Sequence, residues 1–275
     1  MAYNITSLIT TKELALYEKH LSICLRTNGL SFSVLSQKGT LLTAGDVEMT
    51  FSSNFSQLSN EIKSLLEELH LSPFDFTSTT LVVPTEQAVW IPESLYTEGS
   101  ERQYLSVMTD IKMGKGVYSD YHPLLKSYVV FSADTTIVTS FKVTIPNIYI
   151  TCIHAKMVNE VLIQRAHSHP VVVLNLRENI VDVAAYGTDG FLLGNSYEFK
   201  DNNELLYTAL NVMKQLNLET PDMELLLCGA VDRDIYAGLV NYFPNVDLYT
   251  GYPVNYVNPE FQQYPTYRNA LILNY

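Results

Sequence analysis

Leu25-Arg26-Thr27-Asn28 and Leu176-Arg177-Glu178-Asn179 are two versions of one tetrapeptide, and each is followed at the same interval by a second matching block. The second blocks are Gly39-Thr40-Leu41-Leu42 and Gly190-Phe191-Leu192-Leu193. Blocks that match in the same order indicate an internal repeat, which determines the architecture more strongly than any single residue. A chain of 275 residues also has the length of two domains. We therefore interpret the sequence as a duplication of one folding unit.

Each copy opens with the pattern of a β-hairpin and a third strand. Apolar and polar side chains alternate over residues 30–34, which is the period of a half-buried strand, and Asn28-Gly29 before them favours a tight hairpin turn. A helical pattern follows in both copies, with apolar residues at the spacing of one helix face. These residues are Phe55, Leu58, Ile62, Leu65, Leu66 and Leu69 in the first copy and Leu205, Ala209, Met213 and Leu216 in the second.

The two copies match again around Asp134 and Asp232, where each pattern predicts a strand, an aspartate helix cap, a helix and a further strand. The first copy is longer than the second before this point, so we expect an inserted subdomain at about residues 74–126. Strands that alternate with helices after an antiparallel start predict a mixed sheet covered on both faces.

We predict two domains, residues 1–168 with the insertion and residues 169–275. Their junction is expected at His167-Ser168-His169-Pro170.

Composition excludes several classes of function. The net charge of −12 repels phosphate backbones, so we expect no nucleic-acid partner. Apolar runs such as residues 171–174 are far shorter than the roughly 18 residues of a membrane span, and the N-terminus lacks a secretion signal, so we expect no membrane insertion and a cytoplasmic protein.

Cysteine and histidine residues do not predict a metal site or a nucleophile. Cys24, Cys152 and Cys228 each lie in an apolar strand-like run, and we expect buried thiols. His167 and His169 lack a Cys, Asp or Glu at metal-ligand spacing, and two exposed histidines in a turn explain them more simply.

The order of elements, once duplicated, resembles the actin-like ATPase fold shared by actin, sugar kinases and heat-shock chaperone ATPases. The resemblance implies an α/β protein with two ribonuclease H-like domains, each with a mixed five-stranded sheet, plus an α+β subdomain inserted in the first. The insertion is similar in placement to that of the actin-like proteins of type IV pilus assembly and type II secretion. Residues 190–197 and 203–207 resemble a family of uncharacterised bacterial proteins assigned to this fold.

Members of this superfamily that hydrolyse ATP clamp the phosphates with two glycine turns, each preceded by an aspartate that organises Mg²⁺. The positions that correspond to the first motif, Asp-x-Gly-Thr, read Cys24-Leu25-Arg26-Thr27, and those of the second read Asn175-Leu176-Arg177-Glu178. The adenosine motif retains one glycine, Gly229. Each lost charge-assisted contact costs about 1.5–3 kcal/mol, which is a decade of affinity or more.

These departures predict no catalytic residue and no cofactor, with ATP and Mg²⁺ both disfavoured. We expect a non-catalytic scaffold or protein-interaction module whose partner is another protein or a second copy. The alternative is a protein that binds ATP or another anion through an altered phosphate site, with Arg26 and Arg177 as contacts in the cleft. A simpler interpretation is that each arginine pairs with an acidic neighbour such as Glu178.

The second copy does without the insertion, so we expect the insertion to carry the interaction surface, with Trp90, Ile91, Leu95 and Tyr96 as candidates. The alternative is that it covers a sheet edge.

Aromatic residues are concentrated near the C-terminus and are interpreted either as a recognition surface or as packing of this segment against the second domain. They are Tyr249, Tyr252, Tyr256, Phe261, Tyr264, Tyr267 and Tyr275.

Overall fold

The computed structural model describes residues 3–11, 18–85, 87–164, 169–251, 255–256, 261 and 264–273. The strands of the first half are β1 (Tyr3–Thr10), β2 (Lys19–Arg26), β3 (Gly29–Ser36), β4 (Thr40–Met49), β5 (Phe76–Val83), β6 (Ala88–Pro92), β7 (Lys115–His122), β8 (Ser127–Asp134) and β9 (Ile148–Cys152). Those of the second half are β10 (Val171–Arg177), β11 (Ile180–Gly187), β12 (Gly190–Glu198), β13 (Glu224–Gly229), β14 (Val246–Leu248) and β15 (Asn255–Tyr256). The helices are α1 (Phe55–Glu68), α2 (Glu101–Ser106), α3 (Thr135–Thr144), α4 (Ile153–Gln164), α5 (Asn202–Gln215) and α6 (Arg233–Val240), and a 3₁₀ segment covers Thr266–Ile272.

The two main sheets share one topology. The first runs β1-β4-β3-β2-β5-β9, and the second runs β12-β11-β10-β13-β14. In both, an antiparallel three-stranded unit continues into parallel strands, since β2 pairs in parallel with β5 and β10 pairs in parallel with β13. The predicted duplication and the mixed five-stranded sheet are confirmed. The first sheet has two further strands, β1 and β15, which both pair with β4.

Central strands and covering helices explain the hydrophobic pattern. Residues 171–176 are all buried, including the polar Asn175, as expected for a central strand with cover on each side. Residues of α1 and α3 pack into the core of the first half, and residues of α5 and α6 into that of the second. Asp134 and Asp232 accept backbone N–H bonds at the N-termini of α3 and α6, as predicted. Asn54 and Asp201 cap α1 and α5 in the same way.

A third core joins the halves. Ile153 and Met157 of α4 share it with Val173 of the second sheet and with Leu271 and Ile272 of the 3₁₀ segment. The segment that closes the first half therefore packs on the second sheet. Ser33 of β3 donates a hydrogen bond to the carbonyl of Ile272, so the segment that closes the second half contacts the first sheet.

The inserted subdomain differs from its predicted bounds. Residues 81–83 lie in β5, the central parallel strand of the first sheet, and not in the insertion. Conversely β8 pairs with β6 and β7 in a separate three-stranded sheet, order β6-β8-β7. The extra sheet thus occupies the interval between Val83 and α3. Sequence matching misplaced it because β5 and β8 are both short apolar strands, and only hydrogen-bond pairing shows which belongs to the main sheet.

The C-terminal aromatic residues divide between the two halves, since Tyr267 packs against the core of the second half as expected, whereas others pack against the first half. Phe261 and Tyr264 are buried beside Leu35 and Leu41 of the first sheet. The backbone of β15 pairs with residues Thr40 and Leu41. Tyr249 lies in the core that joins the halves, whereas Tyr252 and Tyr275 lie outside the described residues.

Residues 167 and 168 of the predicted junction lie outside the described residues. His169, the next residue, is exposed. The domain bounds at residues 168 and 169 stay a prediction. Across the described ranges, no helix combines the length and the apolar character that a bilayer crossing requires.

Candidate functional site

A cavity of about 580 Å³ opens between the two halves. Its walls are the turns that follow β2 and β10, the end of β13 and part of the 3₁₀ segment. The structure brings together in this cleft all of the motif positions that the sequence predicts. They are Cys24, Arg26, Thr27, Asn175, Arg177, Glu178 and Gly229.

Both turns are two-residue hairpins at equivalent places in the repeat. Arg26 pairs with Gly29 across the first turn, and Arg177 pairs with Ile180 across the second. Gly29 begins β3 with a φ of +141°, and a Cβ there would lie 1.9 Å from the carbonyl oxygen of Val47. Only glycine fits this position. The two turn residues are Thr27 and Asn28, so the turn lies one residue before the predicted Asn28-Gly29 pair, and Gly29 belongs to β3.

In the first half, Arg26 pairs with a carboxylate of its own sheet. Its Nη1 lies 3.3 Å from Oδ1 of Asp46, on β4, and its Nη2 donates to the carbonyl of Leu30 at 3.2 Å. Ser31 on β3 donates to Asp46 at 2.7 Å. The side chain of Arg26 remains 42% exposed, so the guanidinium still faces the cleft.

In the second half, an arginine, an aspartate and a serine again meet, but the aspartate and the serine have exchanged strands. Asp182 lies on β11 at the position of Ser31 in the repeat, and Ser196 on β12 faces it at the position of Asp46. Arg177 donates from Nε to Asp182 at 2.9 Å and from Nη2 at 2.5 Å, and Ser196 donates to Asp182 at 2.6 Å. Asp182 is fully buried, so this pair is shielded from solvent.

The interpretation that each arginine pairs with an acidic neighbour fits both halves, although the partner is not Glu178. The partners, Asp46 and Asp182, were not singled out from the sequence. The signal that was available is an aspartate within a mostly apolar strand, because a carboxylate that folding removes from water needs a hydrogen-bonding partner.

Glu178 instead reaches across the cleft. Its Oε1 accepts a hydrogen bond from Nδ2 of Asn28 at 2.5 Å, and this bond joins the tips of the two turns. Both residues are exposed.

The two positions that the resemblance assigns to metal-organising aspartates hold the Asn175 amide and the Cys24 thiol. Nδ2 of Asn175 donates to Asp182 at 2.9 Å, and its Oδ1 faces the thiol of Cys228 at 3.6 Å. Burial raises the pKa of the Cys24 thiol to about 11, so it is uncharged at neutral pH. Within the described ranges, no three His, Cys, Asp or Glu side chains are grouped as metal ligands.

Gly229 has a local structural role. Its φ is +83°, and a Cβ there would lie 2.3 Å from the carbonyl oxygen of Leu176. The next residue, Ala230, donates its N–H to the same carbonyl at 2.8 Å. The absence of a side chain at Gly229 therefore allows the backbone after β13 to change direction while it stays in contact with the end of β10.

The charge of the cleft rim opposes an anionic ligand. Glu48, Glu178 and Asp232 are exposed carboxylates in the lining, and Arg268 is an exposed guanidinium there. Since Arg26 and Arg177 already have carboxylate partners, they add little net positive charge.

A buried histidine, His154, connects α4 to the hydrogen-bonded group formed by Arg177, Asp182 and Ser196. His154 is fully buried, and its Nε2 lies 2.8 Å from Oγ of Ser196. Burial lowers the pKa of His154, which keeps the ring neutral. Its Nδ1 has no hydrogen-bond partner among the described residues.

The candidate surface residues of the insertion do not form one patch. Trp90 is partly buried and faces the second half, where its ring lies 5.2 Å from that of Phe191. Tyr96 stacks on Tyr128 at 3.6 Å, and Ile91 is partly buried. Leu95 alone of the four is strongly exposed, at 67%.

Comparison with known proteins identifies a family and a fold. A family model described as "Protein of unknown function (DUF3822)" matches residues 10–246. A Bacteroides thetaiotaomicron protein with an actin-like ATPase fold and unknown function is 18% identical, with a TM-score of 0.73 over 92% of this chain and 97% of that one. No curated protein matches the sequence.

Two other solved structures have the same architecture. One, from the PilM-PilN type IV pilus biogenesis complex, is 13% identical with a TM-score of 0.57, over 92% of this chain and 96% of that chain. The other is the ethanolamine utilization protein EutJ of Carboxydothermus hydrogenoformans, 7% identical with a TM-score of 0.50, over 93% and 90% of the two chains. At these identities the likeness shows the fold alone, which is the actin-like ATPase fold.

Proposed function

The chain belongs to the DUF3822 family, and we propose that it is a non-catalytic actin-like protein that acts through contacts with another protein or with a second copy. The observation that carries this proposal is the side chain of Glu178. A carboxylate stands in the turn that would face a phosphate, and it bonds to Asn28 of the opposite turn.

Electrostatics supports the loss of nucleotide binding. A nucleotide would bring several negative charges into a rim that already holds exposed Glu48, Glu178 and Asp232. At about 4 Å, two like charges repel by roughly 4 kcal/mol at the effective dielectric constant of a protein surface. Repulsion between these carboxylates and the nucleotide phosphates opposes the attraction to backbone N–H groups on which a phosphate clamp depends.

The residues at the two former aspartate positions also disfavour catalysis. Phosphoryl transfer depends on positioning and on electrostatic stabilisation by metal ions. A neutral Cys24 thiol and the Asn175 amide supply no carboxylate where the superfamily has aspartates. We therefore propose a pseudo-ATPase.

Titration of the purified protein with ATP in the presence of Mg²⁺ tests this proposal. We expect no saturable binding up to about 1 mM, which corresponds to about −4 kcal/mol, and no hydrolysis above that of the Cys24→Ala variant. Saturable binding that is weakened in Arg26→Ala would instead favour the alternative, an ATP- or anion-binding protein with an altered phosphate site. The exposed part of the Arg26 guanidinium is the feature in favour of that alternative.

Exposed apolar side chains of the inserted subdomain support a role in protein contacts. Leu95, Val107, Met108, Met113 and Leu124 are each at least 64% exposed. One similar structure is itself part of a complex between two proteins, PilM and PilN.

Sedimentation velocity tests self-association of this surface. If a second copy is the partner, the wild type should form a concentration-dependent dimer that Val107→Ser with Met113→Ser weakens. The matched control is Phe74→Ser, which removes an equally exposed side chain outside the insertion. Equal dimerisation of all three proteins would exclude residues 107–113 as the self-contact.

A cytoplasmic location is part of the proposal. None of the three cysteines, all of which the structure describes, forms a disulfide, and Cys152 and Cys228 are fully buried thiols. Thiols of this kind persist in a reducing compartment.

A further inference from the structure

Ser196 of β12 lies at a point where three parts of the molecule meet. Its Oγ lies 3.2 Å from the carbonyl oxygen of Thr85, which follows β5 and leads into the inserted subdomain. The same oxygen lies 2.8 Å from Nε2 of His154 on α4 and donates to Oδ1 of Asp182 at 2.6 Å. One hydroxyl group therefore contacts the insertion, the helix that closes the first half and the second sheet.

Asp182 connects this hydroxyl group to the cleft. Its carboxylate accepts hydrogen bonds from Nε of Arg177 and from Nδ2 of Asn175, each at 2.9 Å. Both of these residues line the cavity. A continuous series of hydrogen bonds thus runs from the wall of the cleft through Asp182 and Ser196 to Thr85. Asp182 is fully buried and Thr85 is 4% exposed, so these contacts are shielded from water.

The Ser196 hydroxyl group has two arrangements open to it. A serine carries one O–H donor, yet both the Asp182 carboxylate and the Thr85 carbonyl face it as acceptors. The hydrogen bond goes to Asp182, because that oxygen is charged and is nearer, at 2.6 Å against 3.2 Å. A movement of Asp182 toward Arg177, or of Thr85 toward Ser196, would turn the O–H toward Thr85. An element with two discrete arrangements that two sites both influence is what coupling between those sites requires.

The insertion also contacts the second half through the side chain of Trp90, on the same strand. The ring of Trp90 lies 5.2 Å from that of Phe191, and its Nε1 lies 3.0 Å from the position that a Cβ of Gly194 would occupy. Because Phe191, Gly194 and Ser196 all belong to β12, a shift of the insertion against this strand moves the Trp90 contact and the Thr85 contact together.

We propose that Ser196 couples the inserted subdomain to the cleft, so that a protein bound to the insertion changes access to the cleft without entering it. The inference rests on the proposed function, which assigns protein contacts to the insertion. Coupling between two sites is reciprocal. A change at the cleft end of the series, at Arg177, therefore also changes how the insertion packs on β12.

The chain carries one reporter at each end of this series. Cys24 lines the cavity and is partly exposed, whereas Cys152 and Cys228 are fully buried. The rate at which a maleimide modifies Cys24 in the folded protein at about pH 8 therefore measures access to the cleft. The emission of Trp90, the only tryptophan, reports the contact of the insertion with β12.

Ser196→Ala tests the inference on the full chain. We expect it to raise the rate of Cys24 modification at least about threefold and to move the Trp90 emission to longer wavelength, because the link between Asp182 and Thr85 is lost. Ser196→Thr keeps a hydroxyl group at a strand position and should keep both values near those of the wild type. An unchanged rate in the folded Ser196→Ala variant would overturn the inference.

Phe191→Leu gives a second test, because Phe191 contacts the insertion and lies outside the cavity lining. It should also raise the rate of Cys24 modification, and an unchanged rate would overturn the inference even if the alanine variant does not fold. Mass spectrometry separates coupling from general destabilisation. Label confined to Cys24 supports coupling, whereas equal labelling of Cys24, Cys152 and Cys228 would contradict it, since global unfolding exposes all three thiols.

A matched pair of variants tests reciprocity from the cleft side. Arg177→Met removes the guanidinium that holds Asp182 and should move the Trp90 emission to longer wavelength. Arg26→Met, at the equivalent position of the repeat, removes the partner of Asp46, which takes no part in the series, and should leave the emission unchanged. Indistinguishable emission from the two variants would overturn the inference.

The inference and the proposed function fail in different ways. Saturable binding of ATP with Mg²⁺ by the wild type would contradict the non-catalytic proposal, while the rate of Cys24 modification decides the coupling separately. An unchanged Cys24 rate in Ser196→Ala, in a protein that binds no ATP, would refute the coupling and leave the non-catalytic proposal standing.

Discussion

Arg26 and Arg177 each pair with an aspartate, but the two pairs differ in burial. This difference predicts that they contribute unequally to the free energy of unfolding. The Arg177–Asp182 pair is buried, with the carboxylate fully enclosed, whereas Arg26 is 42% exposed. Removing one partner of a buried pair leaves an uncompensated charge, which costs about 3–5 kcal/mol. An exposed pair contributes about 0–1 kcal/mol.

We therefore expect Arg177→Met to lower the free energy of unfolding by about 3–5 kcal/mol and Arg26→Met by about 1 kcal/mol or less. Urea unfolding followed by circular dichroism measures both. Because the two positions are equivalent in the repeat, each variant is the control for the other. Equal losses would mean that burial of Asp182 does not determine the strength of the pair.

His154 makes the stability of the fold sensitive to pH. Its pKa in the folded state lies below the ordinary histidine value of 6.5 because the ring is buried. Below that value the unfolded chain takes up a proton that the folded chain does not, so this contribution to stability is present above about pH 6.5 and is lost as the pH falls. The buried Asp182 partly offsets the effect, and Arg177 adds to it.

Between pH 7 and pH 5, the free energy of unfolding of the wild type should fall more steeply than that of His154→Gln. The difference in slope approaches about 1.4 kcal/mol per pH unit for one proton. His169→Gln, which replaces an exposed histidine, should follow the wild type. Parallel curves for wild type and His154→Gln would contradict this prediction.

At the scale of elements, Gly229 determines how β13 ends. It combines a φ of +83° with a Cβ position 2.3 Å from the carbonyl of Leu176. A side chain there would strain the backbone and push β13 away from β10.

We expect Gly229→Ala to destabilise the protein by at least about 2 kcal/mol. Gly238, within α6, has no atom within 4 Å of its Cβ position, so Gly238→Ala should instead stabilise by about 0.5–1 kcal/mol. Thermal unfolding of the two variants distinguishes these opposite signs. A neutral Gly229→Ala would show that the strand end can move without cost.

At the scale of the whole molecule, the inserted subdomain is attached to both halves. Val129 and Phe131 of β8 lie in the core of the first half, while the ring of Trp90 lies against Phe191 of the second. The insertion therefore bridges the two halves as well as exposing a surface.

Trp90 is the only tryptophan, so its fluorescence reports this bridge. Phe191→Leu should shift the emission to longer wavelength and increase quenching by iodide, because solvent gains access to the indole. Phe74→Leu, at an exposed position on another surface, should leave the emission unchanged. An unaltered spectrum in Phe191→Leu would show that the insertion does not depend on this contact.

Much of the fold was predictable from local pattern. The repeat, the hairpins at Arg26 and Arg177 and the aspartate caps depend on residues close in sequence, and the structure confirms them. The gathering of the motif positions in one cleft is what the resemblance to the actin-like fold implied, and the structure places all of them in the lining of one cavity.

Partner choice could not be predicted in this way. Asp46 and Asp182 stand on different strands of the repeat, and β5 and β8 have similar composition but belong to different sheets. Likewise Phe261 and Tyr264 pack against the first half although they lie far from it in sequence.

The sequence by itself determined the duplicated α/β architecture, whose element order resembles the actin-like fold, and the departures from the phosphate motifs of that fold. Both depend on the identity and spacing of residues near each turn. Tertiary structure alone decided which carboxylate neutralises each arginine, where Glu178 points and which sheet each apolar strand joins. Those choices depend on pairing between residues distant in the chain, where many partners satisfy the same pattern and only packing in three dimensions selects among them.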